Sequence, residues 1–306
     1  MVLAMPMLSY LVCATPRSGS TLLCELLDQT GLAGHPEEYF EALRHSGVPR
    51  RPHEYFDRDR HANIIERLAF REMPDGVVRP ANPLWDPSDY GRYLRWALEQ
   101  GTTPNGVFGA KLMWGYLGDF AILLRTIEGM EELPLRGLLT RAFPGLRYIQ
   151  ITREDKVRQA VSLWKAVQTQ AWRQGDPDYA APAGEPVFSF RAINYLIRLL
   201  TAHDASWDAY FLGLGQPPQL KVTYEELAAD PEPVVHRVLE HLGIPAPDPL
   251  PLGAPRLSAQ ADELSEDWVR RFHSHLNALE EPETVVLAGR HPLVADGAWS
   301  EQRQRS

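Results

Sequence analysis

Residues 10–14 are apolar without interruption, residues 15–21 are polar, and apolar side chains then recur at Leu22, Leu23, Leu26 and Leu27. An unbroken short apolar run is the pattern of a strand buried on both faces, and the spacing after it is that of one helix face. The prediction is a strand, a tight turn and a helix within residues 9–30, with Gly31 placed to end the helix. Residues 106–111 and 146–152 predict two further strands, each followed by helix-forming sequence, and residues 220–223 a fourth. Strands that alternate with helices indicate an α/β fold: a central, mostly parallel sheet flanked by helices.

Helical spacing extends over residues 155–173, through Val157, Val161, Leu163, Trp164 and Val167, and over 189–212, through Leu196, Leu200, Trp207 and Phe211. Pro231 opens another helix, which carries Val234, Val235, Val238, Leu239 and Leu242 before Gly243. A last amphipathic helix is expected over 265–279, after a Pro-rich linker at 245–255. Residues 34–87, rich in Pro, His and Arg, predict loops and short helices lying over a site. Gly, Pro and Asp in 174–187 predict a mobile loop, and the polar tail after Trp299 is expected to fray. No internal repeat is found, and one domain over residues 1–306 is expected.

Composition narrows the partners. With 31 Lys plus Arg against 40 Asp plus Glu, the net charge is -9 and no long basic run exists, which argues against nucleic acid. The two cysteines, Cys13 and Cys24, fall on the first strand and helix, so buried thiols are expected rather than a disulfide or a zinc site. No apolar stretch approaches the roughly 20 residues that span a bilayer, and the apolar start lacks a basic flank, so a cytoplasmic location is expected. The ten His residues are scattered. His273 and His275, two apart on a helix, face different ways, so no metal is expected.

The turn Thr15-Pro-Arg-Ser-Gly-Ser-Thr21 lies between a strand and a helix N-terminus, where unpaired N–H groups attract an anion, and Arg17 adds a guanidinium. It lacks the GxxxxGK[ST] of nucleoside triphosphatases. Lys111 stands at the carboxyl end of the second strand, the sheet edge where ligands gather. Glu37 and Glu38 follow Pro36, which favours extended backbone; in extended chain the two carboxylates point opposite ways, and one faces the cleft as a candidate base. Two other readings stay open. A phosphate-loop kinase would use Asp155 for magnesium, and a non-catalytic protein would bind a nucleotide only.

Together with Ile151-Thr-Arg-Glu-Asp-Lys-Val-Arg-Gln-Ala-Val-Ser162 and Thr223-Tyr-Glu-Glu-Leu-Ala-Ala-Asp-Pro231, the first turn resembles the sulfotransferases that use 3'-phosphoadenosine 5'-phosphosulfate. The segments 30–40, 103–114 and 159–169 are similar, more narrowly, to the bacterial trehalose 2-sulfotransferase family. The resemblance implies a P-loop-NTPase-like sulfotransferase fold and sulfuryl transfer to a carbohydrate or another small hydroxylated metabolite. Arg17, Ser18, Gly19, Ser20 and Thr21 would hold the 5'-phosphosulfate. Arg153 and Ser162 would hold the 3'-phosphate, with Gln159 able to share that role.

The resemblance selects Glu38 as base, with Arg17 and Lys111 as catalytic cations. It places Pro16, His35, Pro36 and Glu37 on the acceptor side with Glu38. Tyr39 joins them, and Tyr55 stands as an aromatic sugar platform. Gln168 and Thr169 are further candidates to face the acceptor, and core packing is expected of Trp164 and Trp172. A homodimer is implied as possible.

Overall fold

The computed structural model describes residues 6–55, 81–172, 185–215, 219–253 and 263–280. Four parallel strands, β1 (Leu8–Ala14), β2 (Val107–Met113), β3 (Arg147–Thr152) and β4 (Gln219–Thr223), form one sheet in the order β2-β1-β3-β4. The unbroken apolar run of β1 is explained by its place: it pairs with β2 on one side and β3 on the other, and Tyr10 to Ala14 are all buried. Ala14 is level with both Met113 and Ile151, so three strands end together. The chain leaves β1 toward β2 and leaves β3 toward β4, in opposite directions, which opens a crevice at the carboxyl ends of β1 and β3. The turn carrying Arg17 and the segment carrying Arg153 enter that crevice.

Helix α1 (Ser20–Gln29) buries Leu23, Leu26 and Leu27 and gives way at Thr30 to Gly31, whose φ is 64°. Helices α2 (Tyr90–Gly101), α3 (Trp114–Leu124) and α4 (Leu135–Ala142) precede β3. Helix α5 (Lys156–Thr169) follows β3; Asp155 caps it by accepting from the Arg158 N–H at 2.8 Å. It ends four residues earlier than the 155–173 predicted, because Gln170 turns left-handed at φ 56°. Helix α6 (Phe190–Gly213) matches its expected span within a residue.

Helix α7 (Tyr224–Ala229) follows β4 with a capping box between Thr223 and Glu226. Helix α8 (Pro231–Leu242) closes on Gly243 as expected, and α9 (Glu263–Glu280) completes the described chain. Helices α2, α4 and α7 were not among the predicted elements, although Tyr90, Tyr93, Leu94, Ala97 and Leu98 bury one regular helical face of α2. Most of the predicted loop 174–187 and the tail after Trp299 lie outside the described residues.

The core has two parts. The larger surrounds the sheet, and the smaller joins α5, α6 and α9 through Trp164, Ile193, Leu196, Trp268 and Phe272. Trp207 belongs to the first and donates its indole N–H to the Ala14 carbonyl at 3.0 Å, fixing the end of β1 from below. Cys13 and Cys24 are buried free thiols. No helix among the described residues is long and apolar enough to cross a membrane.

Candidate active site

A cavity of about 700 Å³ opens over the carboxyl ends of the strands. At one end lies the turn after β1. Gly19 is left-handed at φ 86°, and a Cβ there would stand 2.6 Å from the Tyr224 ring, so glycine is required on both counts. No side chain caps the start of α1, which leaves its first N–H groups open to an anion. Arg17 is also left-handed, at φ 64°, a conformation that costs a non-glycine residue about 1 kcal/mol and is maintained here by its surroundings.

Those surroundings are a polar network that local sequence reading did not find. The Thr15 hydroxyl donates to Asp204 at 3.1 Å, and the fully buried Gln159 amide donates to Thr15 at 3.0 Å and to the Pro16 carbonyl at 2.8 Å. Lys156 donates to Gln159 at 2.9 Å and to Asp204. Gln159 therefore buttresses the turn from behind, off the cavity wall, which removes it from the expected 3'-phosphate role. Asp204 comes from α6, far along the chain, so no spacing rule points to it.

The Arg17 guanidinium crosses to α5, donating from Nε to Ser162 Oγ at 2.9 Å and from Nη1 to the Trp172 carbonyl at 2.9 Å. Two residues expected on different phosphates thus meet. Arg153 lies over the Tyr224 ring at 4.4 Å, and its buried Nε has no hydrogen-bond partner among the described residues. Ser20 and Thr21 line the cavity; Ser18 does not, and its buried hydroxyl has no partner among the described residues. Arg158, missed in sequence, lines the same end and forms a two-pronged pair with Glu266 at 3.0 and 2.7 Å.

Across the cavity, Gly34 turns left-handed at φ 71° with its α-carbon so close to β2 that a Cβ would meet the Gly109 nitrogen at 2.6 Å. The chain then runs alongside β2, where Glu37 bridges Ala110 and its carbonyl accepts from the Lys111 N–H at 2.9 Å. This docking delivers Glu38 beside Lys111: Nζ stands 2.8 Å from Glu38 Oε2 and donates to Thr21 Oγ1 at 3.2 Å. Lys111 is only 4% exposed, so it belongs to the cavity and not to the outer surface. The Tyr116 hydroxyl donates to Glu38 Oε1 at 3.0 Å, and burial pushes its pKa up, which keeps that proton in place.

Residues 9–275 match the family model described as Stf0 sulphotransferase. The chain belongs to the Stf0 sulfotransferase family. It is an enzyme of that class, and the kinase and purely binding readings fall away. The chain is 36% identical over 270 residues to trehalose 2-sulfotransferase of Mycolicibacterium smegmatis, covering 86% of this chain and 94% of that protein. It is 35% identical over 277 residues to the trehalose 2-sulfotransferase of Mycobacterium tuberculosis, covering 89% and 97%. A solved sulfotransferase from Alicyclobacillus acidocaldarius matches 90% of this chain and 96% of its own at 16% identity, with a TM-score of 0.45.

The rest of the site in this Stf0 sulfotransferase departs from expectation in several places. Both Glu37 and Glu38 line the cavity, although one was expected to face it, and Glu38 is the one held between Lys111 and Tyr116. Neither His35 nor Pro36 lines it: the half-exposed His35 ring is bonded to Asp28 at 2.6 Å, and Pro36 is buried where the loop meets the strand. Gln168 and Thr169 also stay outside, Gln168 holding the backbone of Val187 and Thr169 donating to the Lys165 carbonyl. Pro16 and Tyr39 line the cavity, the Tyr39 hydroxyl donating to the His35 carbonyl at 2.8 Å.

Tyr55 lines the cavity too, but one ring face is already covered by Trp172, stacked at 5.5 Å. Trp172, expected in the core, is a wall residue instead; Trp164 is buried as expected. Asp155, the tempting magnesium carboxylate, is engaged as the cap of α5 and pairs with Arg158 at 2.8 Å. Glu232, His236 and Asp248 bring ligand atoms within 4.8 Å of one another, but none of the three lines the cavity.

Proposed function

We propose that this Stf0 sulfotransferase moves the sulfuryl group of 3'-phosphoadenosine 5'-phosphosulfate to a hydroxyl of a carbohydrate, trehalose or a close relative, with Glu38 as general base. The observation that carries the reading is Lys111, a buried cation bridging Thr21 of the anion-binding helix and Glu38 in one cavity. The names of the two trehalose 2-sulfotransferases, which align over most of their length, support the acceptor class.

The residues present fit the nucleotide. The uncapped start of α1 and the orphaned Arg153 Nε are polar groups in want of an anion, and Gly19 lines the cavity beside them. In this reading Gly19, Ser20 and Thr21 seat the 5'-phosphosulfate with Arg17, and Arg153 takes the 3'-phosphate with Ser162. The nucleotide supplies the sulfuryl group and departs as adenosine 3',5'-bisphosphate, a leaving group that is already weakly basic. An arginine, which cannot serve as a proton donor, is therefore adequate at position 17.

Glu38 accepts the proton of the attacking hydroxyl, and Tyr116 holds the carboxylate in orientation through its other oxygen. Lys111 shifts its charge from Glu38 toward the transferring oxygens, which offsets negative charge there and leaves Glu38 more basic as the proton moves. Catalysis is then in-line positioning between fixed cations, as in phosphoryl transfer. In this reading the chain acts as one sulfotransferase domain in the cytoplasm, where free Cys13 and Cys24 remain reduced.

The test is transfer of labelled sulfuryl from the nucleotide to trehalose by the purified protein, with a phenol as comparison acceptor. Sulfated trehalose is expected; a protein that sulfates the phenol and leaves trehalose untouched overturns the carbohydrate reading.

A further inference from the structure

On α6, one residue before the Asp204 that supports the nucleotide turn, His203 faces the cavity together with Leu199 and Leu200. It was not singled out by any sequence motif, and the mechanism above does not use it. Its ring is partly buried and forms no hydrogen bond among the described residues. The ring therefore keeps its hydrogen-bonding capacity for whatever occupies the cavity.

The charge that acts on His203 is Arg50, and burial with that neighbour pushes the pKa down to about 4, so the imidazole is neutral near pH 7. Arg50 lies on the same wall, donating to the Gly115 carbonyl with its guanidinium 5.4 Å from the Tyr55 ring centre. The two side chains are complementary toward an alcohol. A guanidinium only donates, whereas a neutral imidazole also offers a lone pair that can accept the hydroxyl's own proton. Leu199, Leu200, Tyr55 and Trp172 supply apolar surface around them, the mixture that carbohydrate faces require.

We propose that His203 is a specificity-determining residue of the acceptor site, hydrogen-bonding a sugar hydroxyl other than the one that reaches Glu38. The assignment rests on the carbohydrate reading above. It places recognition on the Arg50 side of the cavity and chemistry on the Lys111 side.

The experiment compares the wild type, His203→Ala and His203→Gln with trehalose and its monodeoxy analogues, and measures affinity for adenosine 3',5'-bisphosphate in parallel. His203→Ala is expected to raise KM for trehalose about tenfold with kcat and bisphosphate affinity unchanged, and His203→Gln, which keeps a donor and an acceptor, to recover most of the loss. One monodeoxy analogue should cost the wild type a similar factor and cost His203→Ala nothing more, the sign that both changes remove one bond. Equal KM values in all three proteins, or losses that add for every analogue, overturn the assignment. A wild type that binds the bisphosphate but does not sulfate trehalose defeats the carbohydrate reading first, and the assignment with it.

Discussion

The two ends of the cavity are built by different means. At the end proposed for the nucleotide, the cavity presents helix N–H groups and arginines at the ends of β1 and β3, held from behind by Thr15, Gln159, Lys156 and Asp204. At the end proposed for the acceptor it presents side chains drawn from the 34–55 segment, β2, α3 and α6, held by the Lys111–Glu38 ion pair and by ring contacts. The first arrangement depends on where the strands stop, and the second on how remote segments pack. An anion of fixed shape suits a backbone cradle, whereas a sugar, with many similar hydroxyls, has to be distinguished by individual side chains.

If that division holds, damage to one end should spare the other. The largest effect is expected from Glu38→Gln, which should lower kcat roughly a hundredfold to ten-thousandfold while adenosine 3',5'-bisphosphate binds as before. Calorimetry beside turnover measures both; unchanged turnover removes Glu38 from the chemistry. Lys111→Met probes the link between the two ends. It should lose turnover and about 2–4 kcal/mol of stability, because Glu38 keeps a mostly buried charge without its cation. Adding Glu38→Gln should restore the melting temperature and not the activity, and a double variant as unstable as the single one would show that the pair is not the cause.

On the nucleotide side, Arg153→Ala should weaken bisphosphate binding by about 1.5–2 kcal/mol, tenfold or more, with no change in the trehalose dependence of the rate. A rise in KM for trehalose alone would contradict the division. The smallest effect concerns pH. His203 is neutral in the folded protein down to about 4, whereas in the unfolded chain it protonates near its ordinary value of about 6.5, so the unfolded state gains the proton first as pH falls. Between pH 7 and 5 the wild type should lose about 1–2 kcal/mol more stability than His203→Gln, measured by urea unfolding at both values. Parallel curves would show that the ring titrates normally.

Part of this was legible in the chain. The parallel sheet, the turn at Arg17 and the strand end at Lys111 could be named because each lies in a short segment whose pattern has a local cause, whereas Arg153 and Ser162 were named only through the family resemblance. Burial on both faces makes β1 apolar throughout, and a helix start close behind a strand makes an anion site. The errors fell where neighbours remote in sequence decide. His35 was expected near the acceptor by the family resemblance, yet its ring is bonded to Asp28 and does not line the cavity. Gln159 was a phosphate candidate through the family resemblance, as an alternative to Ser162, yet the turn after β1 occupies its amide. Helix α2 shows a plain amphipathic period that went unclaimed.

By itself the sequence determined the order of the four strands, most of the helices between them and the strand-turn-helix proposed to receive an anion, because hydrophobic period, glycine placement and helix ends act within a few residues. Only the tertiary structure decided that Lys111 is buried between Thr21 and Glu38, that Arg17 reaches Ser162, and that His203 lines the same cavity. Charge pairing and desolvation depend on distances between segments as much as 189 residues apart, and those distances exist only once the sheet has brought the strand ends together.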